Sequence, residues 1–423
     1  MSKDKALSLY VHIPFCKQKC LYCDFLSFPA GEQQIDCYFN ALSKEIQMTA
    51  EDYKDYEVKS VFIGGGTPSF PEARYIAELM AELHSSFNIS SDAEISMELN
   101  PGTASLEKLV TYRQAGVNRL SIGTQSLDDA ALKAIGRIHD ARTFYETYQN
   151  ARKAGFENIN IDIMSALPGQ SIETYMDTVK KVVELHPEHI SAYSLIIEEG
   201  TPFYDMDLDL PSEDEDREMY HRTRDYLAEH GYHRYEISNY ALDYGDSDSL
   251  DSGIADEYLP DFEKYECYHN KVYWTRGNYL GLGLGSSSMV ENVRWKNTSD
   301  MREYVDFFMG ASNYQNADVT KLSSGEMENI SVDSIREDYQ KLSDSEVMEE
   351  FMFLGLRLVR GIDTEEFKAL FNRDIREVYG EVIEKYTTQG LLEFADISGH
   401  RYLRLTTKGL DVSNTVMADF LLD

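Results

Sequence analysis

The stretch Leu7-Ser8-Leu9-Tyr10-Val11-His12-Ile13-Pro14-Phe15-Cys16-Lys17-Gln18-Lys19-Cys20-Leu21-Tyr22-Cys23 sets a β-type run directly against three cysteines. The apolar residues from Leu7 to Ile13 predict a strand, and Pro14 ends it. The cysteines follow with C-x3-C-x2-C spacing, and no second Cys or His pair lies at the spacing of a structural zinc site. Thiolates select soft metals, so zinc and an iron-sulfur cluster are the two candidates. Zinc would need His12 or Cys37 as a fourth ligand. A triplet this compact is already a three-point cradle for a cubane, whose fourth iron stays open to a small molecule. Cys16, Cys20 and Cys23 are therefore read as iron-sulfur ligands.

Outward from that stretch, five more β-type runs follow: Val58 to Ile63, Glu94 to Leu99, Asn118 to Ile122, Asn158 to Met164 and His189 to Leu195. Each leads through a loop into a helix-like stretch. Strands alternating with helices predict βαβ units and a parallel sheet, and six in a row suit a barrel or an open part of one. In such sheets ligands gather at the carboxyl ends of the strands. Those ends carry the cysteines, then Gly64-Gly65-Gly66-Thr67-Pro68, Glu98-Leu99-Asn100-Pro101, Gln125, and Asp162 with Leu167-Pro168-Gly169-Gln170. Singly, the glycines read as a turn, Glu98 and Arg137 as a surface ion pair, and Asp162 as a loop cap. On five successive strands they predict one mouth.

The chain has 423 residues, which implies two or three domains. Its 74 Asp and Glu against 40 Lys and Arg would repel a phosphate backbone, so nucleic acid is not an expected partner. No stretch of 18 apolar residues and no export signal is present, which predicts a cytoplasmic protein with reduced cysteines and no transmembrane segment. We divide the chain into a barrel over 1–240, an insertion over 241–342, and a C-terminal domain over 343–423. Asp243 to Glu263 carries eight acidic residues and no basic one, and reads as a solvated loop. In the last region, helices followed by a hairpin across Leu391 to Leu405 resemble a winged helix. Its 9 Lys and Arg against 16 Asp and Glu argue for a packing or lid role rather than DNA binding.

Taken together, Tyr10-x-His12-Ile13-Pro14-Phe15-Cys16-x3-Cys20-x-Tyr22-Cys23 resembles the radical S-adenosylmethionine superfamily. With Gly64 to Pro68, Glu98-x-Asn100-Pro101, Gly123-x-Gln125-Ser126 and Leu167 to Gln170, nearly the whole chain resembles the oxygen-independent coproporphyrinogen III oxidase family. The resemblance implies an α/β fold, a partial (β/α)6 barrel with a C-terminal α+β winged-helix-like domain. It implies a 4Fe-4S cluster with S-adenosylmethionine on the open iron. Tyr10, Tyr22, Phe25, Gly65, Gly66, Thr67, Glu98, Gln125, Arg137 and Asp162 then become cofactor-binding candidates. One departure stands at Ser165-Ala166, where relatives commonly carry an aromatic residue and Gly before Leu-Pro.

Two branches of that family share the cluster: the oxidase, which decarboxylates porphyrinogen propionates, and haem chaperones of the HemW-like kind. Phe25 stands where oxidases carry a fourth cysteine, only fifteen residues precede Cys16, and His269-Asn270-Lys271-Val272-Tyr273-Trp274 matches the HNxxYW signature of the chaperone branch. The resemblance thus implies haem as a ligand of His269, Asn270, Tyr273 and Trp274. His269 or Cys267 would be the axial ligand, and no residue is assigned a catalytic role. An aromatic core cluster with a satisfied histidine is the plainer reading of the same six residues. The chaperone reading implies an acceptor protein, for which a membrane-associated haemoprotein would serve, and it is compatible with a homodimer.

Overall fold

A computed structural model describes residues 5–243, 260–310 and 332–422. Two compact units emerge. One is Met1–Asp162 with Leu195–Asp209 and Gly277–Lys341, the other Ile163–Ser194 with Leu210–Arg276 and Leu342–Asp423. Most of the acidic run, residues 244–259, lies outside the described residues.

The chain opens with six strands and the six helices between them: β1 (Lys5–Ile13), α1 (Glu32–Ala50), β2 (Tyr56–Gly65), α2 (Ala73–Ser86), β3 (Ile89–Leu99), α3 (Leu106–Gln114), β4 (Arg119–Gln125), α4 (Asp129–Ala134), α5 (Ala141–Lys153), β5 (Ile159–Ser165), α6 (Ile172–Val183) and β6 (His189–Ser194). In the first unit β1 to β4 pair in parallel and in sequence order. Leu7, Leu9, Val11 and Ile13 are all buried, as are the intervening Ser8 and His12, because strands of a helix-covered sheet are enclosed on both faces. The helices start where the sequence supplies caps: Ser105 accepts from the Lys108 amide, Asp128 from Ala130, and Asp140 from Thr143. α5 then buries Phe144, Thr147, Tyr148 and Ala151, one face at helical spacing.

After β6 come α7 (Glu213–Glu229), β7 (Tyr232–Arg234), β8 (Asn239–Leu242), α8 (Tyr268–Trp274), β9 (Tyr279–Leu282), β10 (Ser287–Val290), β11 (Val293–Asn297), α9 (Met301–Met309) and β12 (Arg336–Lys341). β9 lies parallel beside β1, and β10, β11 and β12 continue antiparallel, so β1 is not an edge. Glu45 of α1 secures this extension. It is fully buried and accepts from the Gly283 amide at 2.7 Å, Asn297 Nδ2 at 2.5 Å and the Tyr304 hydroxyl at 2.5 Å. In the second unit β6 and β7 flank β8 antiparallel.

The C-terminal part of the second unit holds α10 (Asp344–Gly355), β13 (Ile362–Asp363), α11 (Thr364–Phe371), α12 (Ile375–Thr388), β14 (Leu392–Ile397), β15 (His400–Leu405), α13 (Thr407–Asp411) and α14 (Ser413–Ala418). Phe351, Phe367, Tyr379, Leu403 and Phe420 lie in one core. The hairpin turns on Ser398 (φ 51°) and Gly399 (φ 85°), the positive pair a tight two-residue turn requires. After the hairpin two short helices form rather than one, because Val412 leaves helical geometry at φ −125°, ψ 27°.

Ala166 takes φ 55°, in the left-handed region that favours glycine, so the departure noted at Ser165-Ala166 has a backbone cost. Ala166→Gly should therefore stabilise the chain by about 1 kcal/mol, read as a higher urea midpoint at unchanged slope. A lower midpoint would contradict the strain.

Candidate metal centre and cofactor site

The parallel register sets Ile13 opposite Gly65, and the two chains stay close beyond the strand ends. The Gly66 amide donates to the Ile13 carbonyl and the Thr67 amide to the Phe15 carbonyl, each at 2.8 Å. No side chain fits in this approach. A Cβ on Gly65, whose φ is 110°, would meet the His12 ring at 2.6 Å, and one on Gly66 would meet the Phe15 carbonyl at 2.8 Å. The cysteine loop folds back through Cys16 N–H to the Phe28 carbonyl at 3.1 Å and Leu21 N–H to the Ile135 carbonyl at 3.2 Å. Cys16 is buried, and Cys20 and Cys23 are half-buried.

Two of the three sulfurs have a side-chain donor in reach. The Thr67 hydroxyl lies 3.2 Å from Cys16 Sγ, and Arg137 Nη1 lies 3.7 Å from Cys20 Sγ. Burial pushes the Cys16 thiol up, opposed by the Thr67 and Ser27 hydroxyls; burial pushes Cys23 up too, opposed by the Phe25 backbone amide. Asn100 ties the two ends together. Its Nδ2 donates to Thr67 Oγ1 at 2.8 Å, and its Oδ1 accepts from Arg137 Nη2 at 2.8 Å. Arg137 also donates to the Gly123 carbonyl. Three thiols, two of them with donor side chains in reach, suit a metal-sulfur group. The zinc alternative loses His12, whose Nδ1 faces the Tyr10 hydroxyl at 3.0 Å and whose Nε2 faces the Leu26 carbonyl at 2.8 Å. Among the described residues, no three His, Cys, Asp or Glu side chains converge to hold a single ion.

Beside the cysteines, Glu98 Oε2 accepts from the Gly65 amide at 3.1 Å. Burial, and then the Asp162 carboxylate, push the Glu98 carboxyl up to about 8, while the Gly65 amide pulls it down. Asp162 accepts from Asn160 Nδ2 at 2.6 Å and the Ser121 hydroxyl at 3.2 Å. Gln125, buried, ends β4 in a left-handed conformation with φ 66°. Tyr22 sits with Arg137, Cys20 and Cys23, and burial raises its phenol. Phe25 is 67% exposed. The structure thus joins Cys16, Thr67, Arg137 and Cys20 in one hydrogen-bonded group, with Gly65 and Glu98 adjoining through the same glycine loop. Asn100 stands in the Glu98-x-Asn100-Pro101 motif, and its polar side chain at a strand end is the sequence signal that marks it. Ser27 had none, because only the fold-back of its loop brings it to Cys16.

His269, Asn270, Tyr273 and Trp274 lie on α8, in the second unit. His269 is buried, with Nε2 3.0 Å from the Tyr273 hydroxyl one turn on. Cys267, the N-cap, is fully buried, and its amide donates to the Tyr235 hydroxyl at 3.2 Å. The Arg357 guanidinium stacks over the Trp274 ring at 4.3 Å. Two buried donor atoms there, Trp274 Nε1 and Arg357 Nε, find no hydrogen-bond partner among the described residues.

Residues 10–182 match the Radical SAM superfamily, and residues 342–412 match the HemN C-terminal domain. The Heme chaperone HemW of Lactococcus lactis is 34% identical over 99% of this chain and 98% of its own length. That of Bacillus subtilis is 32% identical over 98% of this chain and 99% of its own. The solved coproporphyrinogen III oxidase (HemN) from Escherichia coli, described as a radical SAM enzyme, superposes with a TM-score of 0.77 at 23% identity, covering 99% of this chain and 90% of that one. The fold is therefore the radical SAM α/β fold, the superfamily implies a 4Fe-4S cluster and S-adenosylmethionine, and no described helix is long and apolar enough to cross a membrane. The chain belongs to the radical S-adenosylmethionine superfamily, within the oxygen-independent coproporphyrinogen III oxidase family and on its HemW-like branch.

Proposed function

We propose that this protein binds haem through the α8 segment and passes it to an acceptor protein, while Cys16, Cys20 and Cys23 hold a 4Fe-4S cluster that takes S-adenosylmethionine at its open iron. The observation that carries the haem reading is the pair of buried donor atoms, Trp274 Nε1 and Arg357 Nε, that find no hydrogen-bond partner among the described residues, on and beside the helix that bears His269. Unpaired buried donors are costly, and the propionate carboxylates of a porphyrin can accept from an indole N–H and from a guanidinium. The His269 imidazole would reach iron by giving up its bond to Tyr273; Cys267 is the thiolate alternative. The Heme chaperone HemW relatives, alike over almost their full length, support the same reading.

When bound, the cluster supplies a one-electron centre with an open iron. This chain's residues would hold its ligand. Gly65 and Gly66 would let backbone come close, Glu98 would take the ammonium of S-adenosylmethionine, and Arg137 would pair with its carboxylate. Gln125 and Asp162 would contact the nucleoside.

Anaerobic reconstitution followed by haem titration tests the main reading. Haem should bind with a defined Soret band, and His269→Ala should weaken it at least about tenfold. Cys267→Ala reads the thiolate alternative in the same titration. Release of carbon dioxide from coproporphyrinogen without any haem binding would replace the chaperone by the oxidase.

Glu98 gives a second expectation. With its carboxyl near 8 it holds a proton at pH 7, and an arriving ammonium favours the carboxylate, so binding should release a proton. Calorimetry in two buffers of different ionisation enthalpy should show that release at pH 7, show none above pH 9, and show none at either pH in Glu98→Gln. The raised carboxyl also fixes the sign for stability. Its contribution is complete below the ordinary glutamate value of 4.5 and is lost as pH climbs through about 8, so Glu98→Gln should flatten that decline.

A further inference from the structure

We propose that Thr67 and Asn100 set the reduction potential of the cluster held by Cys16, Cys20 and Cys23, acting as positioning residues that carry to Cys16 the charge Arg137 presents directly to Cys20. The proton directions in this group follow from which atoms can donate. Arg137 has only donors, so the Asn100 atom 2.8 Å from its Nη2 is the carbonyl oxygen. The other end of that amide is then the NH2, which can only donate, and it lies 2.8 Å from Thr67 Oγ1. Thr67 therefore accepts from Asn100, and its own proton needs an acceptor. Thr67 is 3% exposed, and the acceptor in reach is Cys16 Sγ at 3.2 Å. A thiolate only accepts, so the chain runs one way: Arg137 to Asn100 to Thr67 to Cys16. The same guanidinium faces Cys20 directly through Nη1 at 3.7 Å.

One fixed cation thus reaches two sulfurs, one directly and one through an amide and a hydroxyl. Hydrogen bonds to cluster sulfurs stabilise the reduced, more negative state and raise the potential. In a buried chain each bond polarises the next, so the Asn100 amide strengthens the donation Thr67 makes. A guanidinium stays protonated, which keeps the relay on across pH. The relay leaves no space for a side chain at Gly123, since a Cβ there would lie 2.9 Å from Asn100 Oδ1 and 3.2 Å from Arg137 Nη2.

The inference rests on the cluster assignment, so iron and acid-labile sulfide are measured on each variant before its potential. The anaerobically reconstituted full chain is titrated with dithionite, and the reduced cluster is followed by its paramagnetic spectrum. Thr67→Val keeps the shape and removes the proton. It should lower the reduction equilibrium constant by about tenfold, equivalent to ~59 mV for one electron. Thr67→Ser should restore it. Asn100→Asp keeps an acceptor for Arg137 but offers the Thr67 hydroxyl a carboxylate, turning its proton away from Cys16, so the potential should fall at least as far. Full iron and sulfide with an unchanged potential in Thr67→Val or Asn100→Asp would overturn the proposal. Loss of cluster from both variants would overturn it too, since the two residues would then hold the cluster rather than tune it. A wild-type chain that takes up no iron would instead count against the cluster assignment itself.

Discussion

The site depends on how closely two backbones approach where β1 and β2 end. Parallel pairing brings Ile13 level with Gly65, and the amides of Gly66 and Thr67 then reach the carbonyls of Ile13 and Phe15. That contact leaves no volume for a Cβ at Gly65 or Gly66. It also fixes where Thr67 stands, and so where Cys16 finds its hydroxyl donor. The glycines and the cysteines, 42 residues apart at Cys23 and Gly65, are in this sense one feature.

Charge at the strand ends is arranged against the trend of a chain with formal net charge −34. Arg137 sits among the sulfurs, while Glu98 and Asp162 form a carboxyl pair in which Glu98 keeps its proton at neutral pH. Two carboxylates in a poorly solvated space do not both ionise readily. The result is a cationic side facing thiolates and an acidic side whose charge a cationic ligand can draw out. Both features belong to a site prepared for charged groups.

The haem-binding candidates are held by a different kind of scaffold. Glu266, beside Cys267, accepts from Lys271 Nζ at 2.7 Å and faces His233 Nε2 at 3.0 Å, while His233 Nδ1 faces Asp243 at 2.5 Å. Burial lowers the His233 imidazole, but the two carboxylates outweigh it and push it up to about 9. α8 is thereby anchored at its start by a charged network. Arg276, just past its end, adds an ion pair with Glu350 at 2.9 Å. A helix of seven residues has little stability of its own, so these ties keep His269 and Trp274 in place.

The amino-acid sequence by itself determined the strand-helix alternation, the cysteine triplet and the residue types at the strand ends, because each is a local pattern: a period, a spacing, or a glycine where backbone must come close. It also carried the hairpin and helices of the C-terminal part and the HNxxYW segment. The pairing of β9 with β1 came only from tertiary structure, since two parallel strands some 270 residues apart leave no local trace. The same holds for Ser27 at Cys16 and for Glu45 under Gly283, which depend on loop return and helix docking. Arg137 could be read as a carboxylate partner from its residue type. That it lies against Cys20 and, through Asn100 and Thr67, acts on Cys16 depended on the fold, because hydrogen-bond direction is set by which atoms end within 3 to 4 Å of each other.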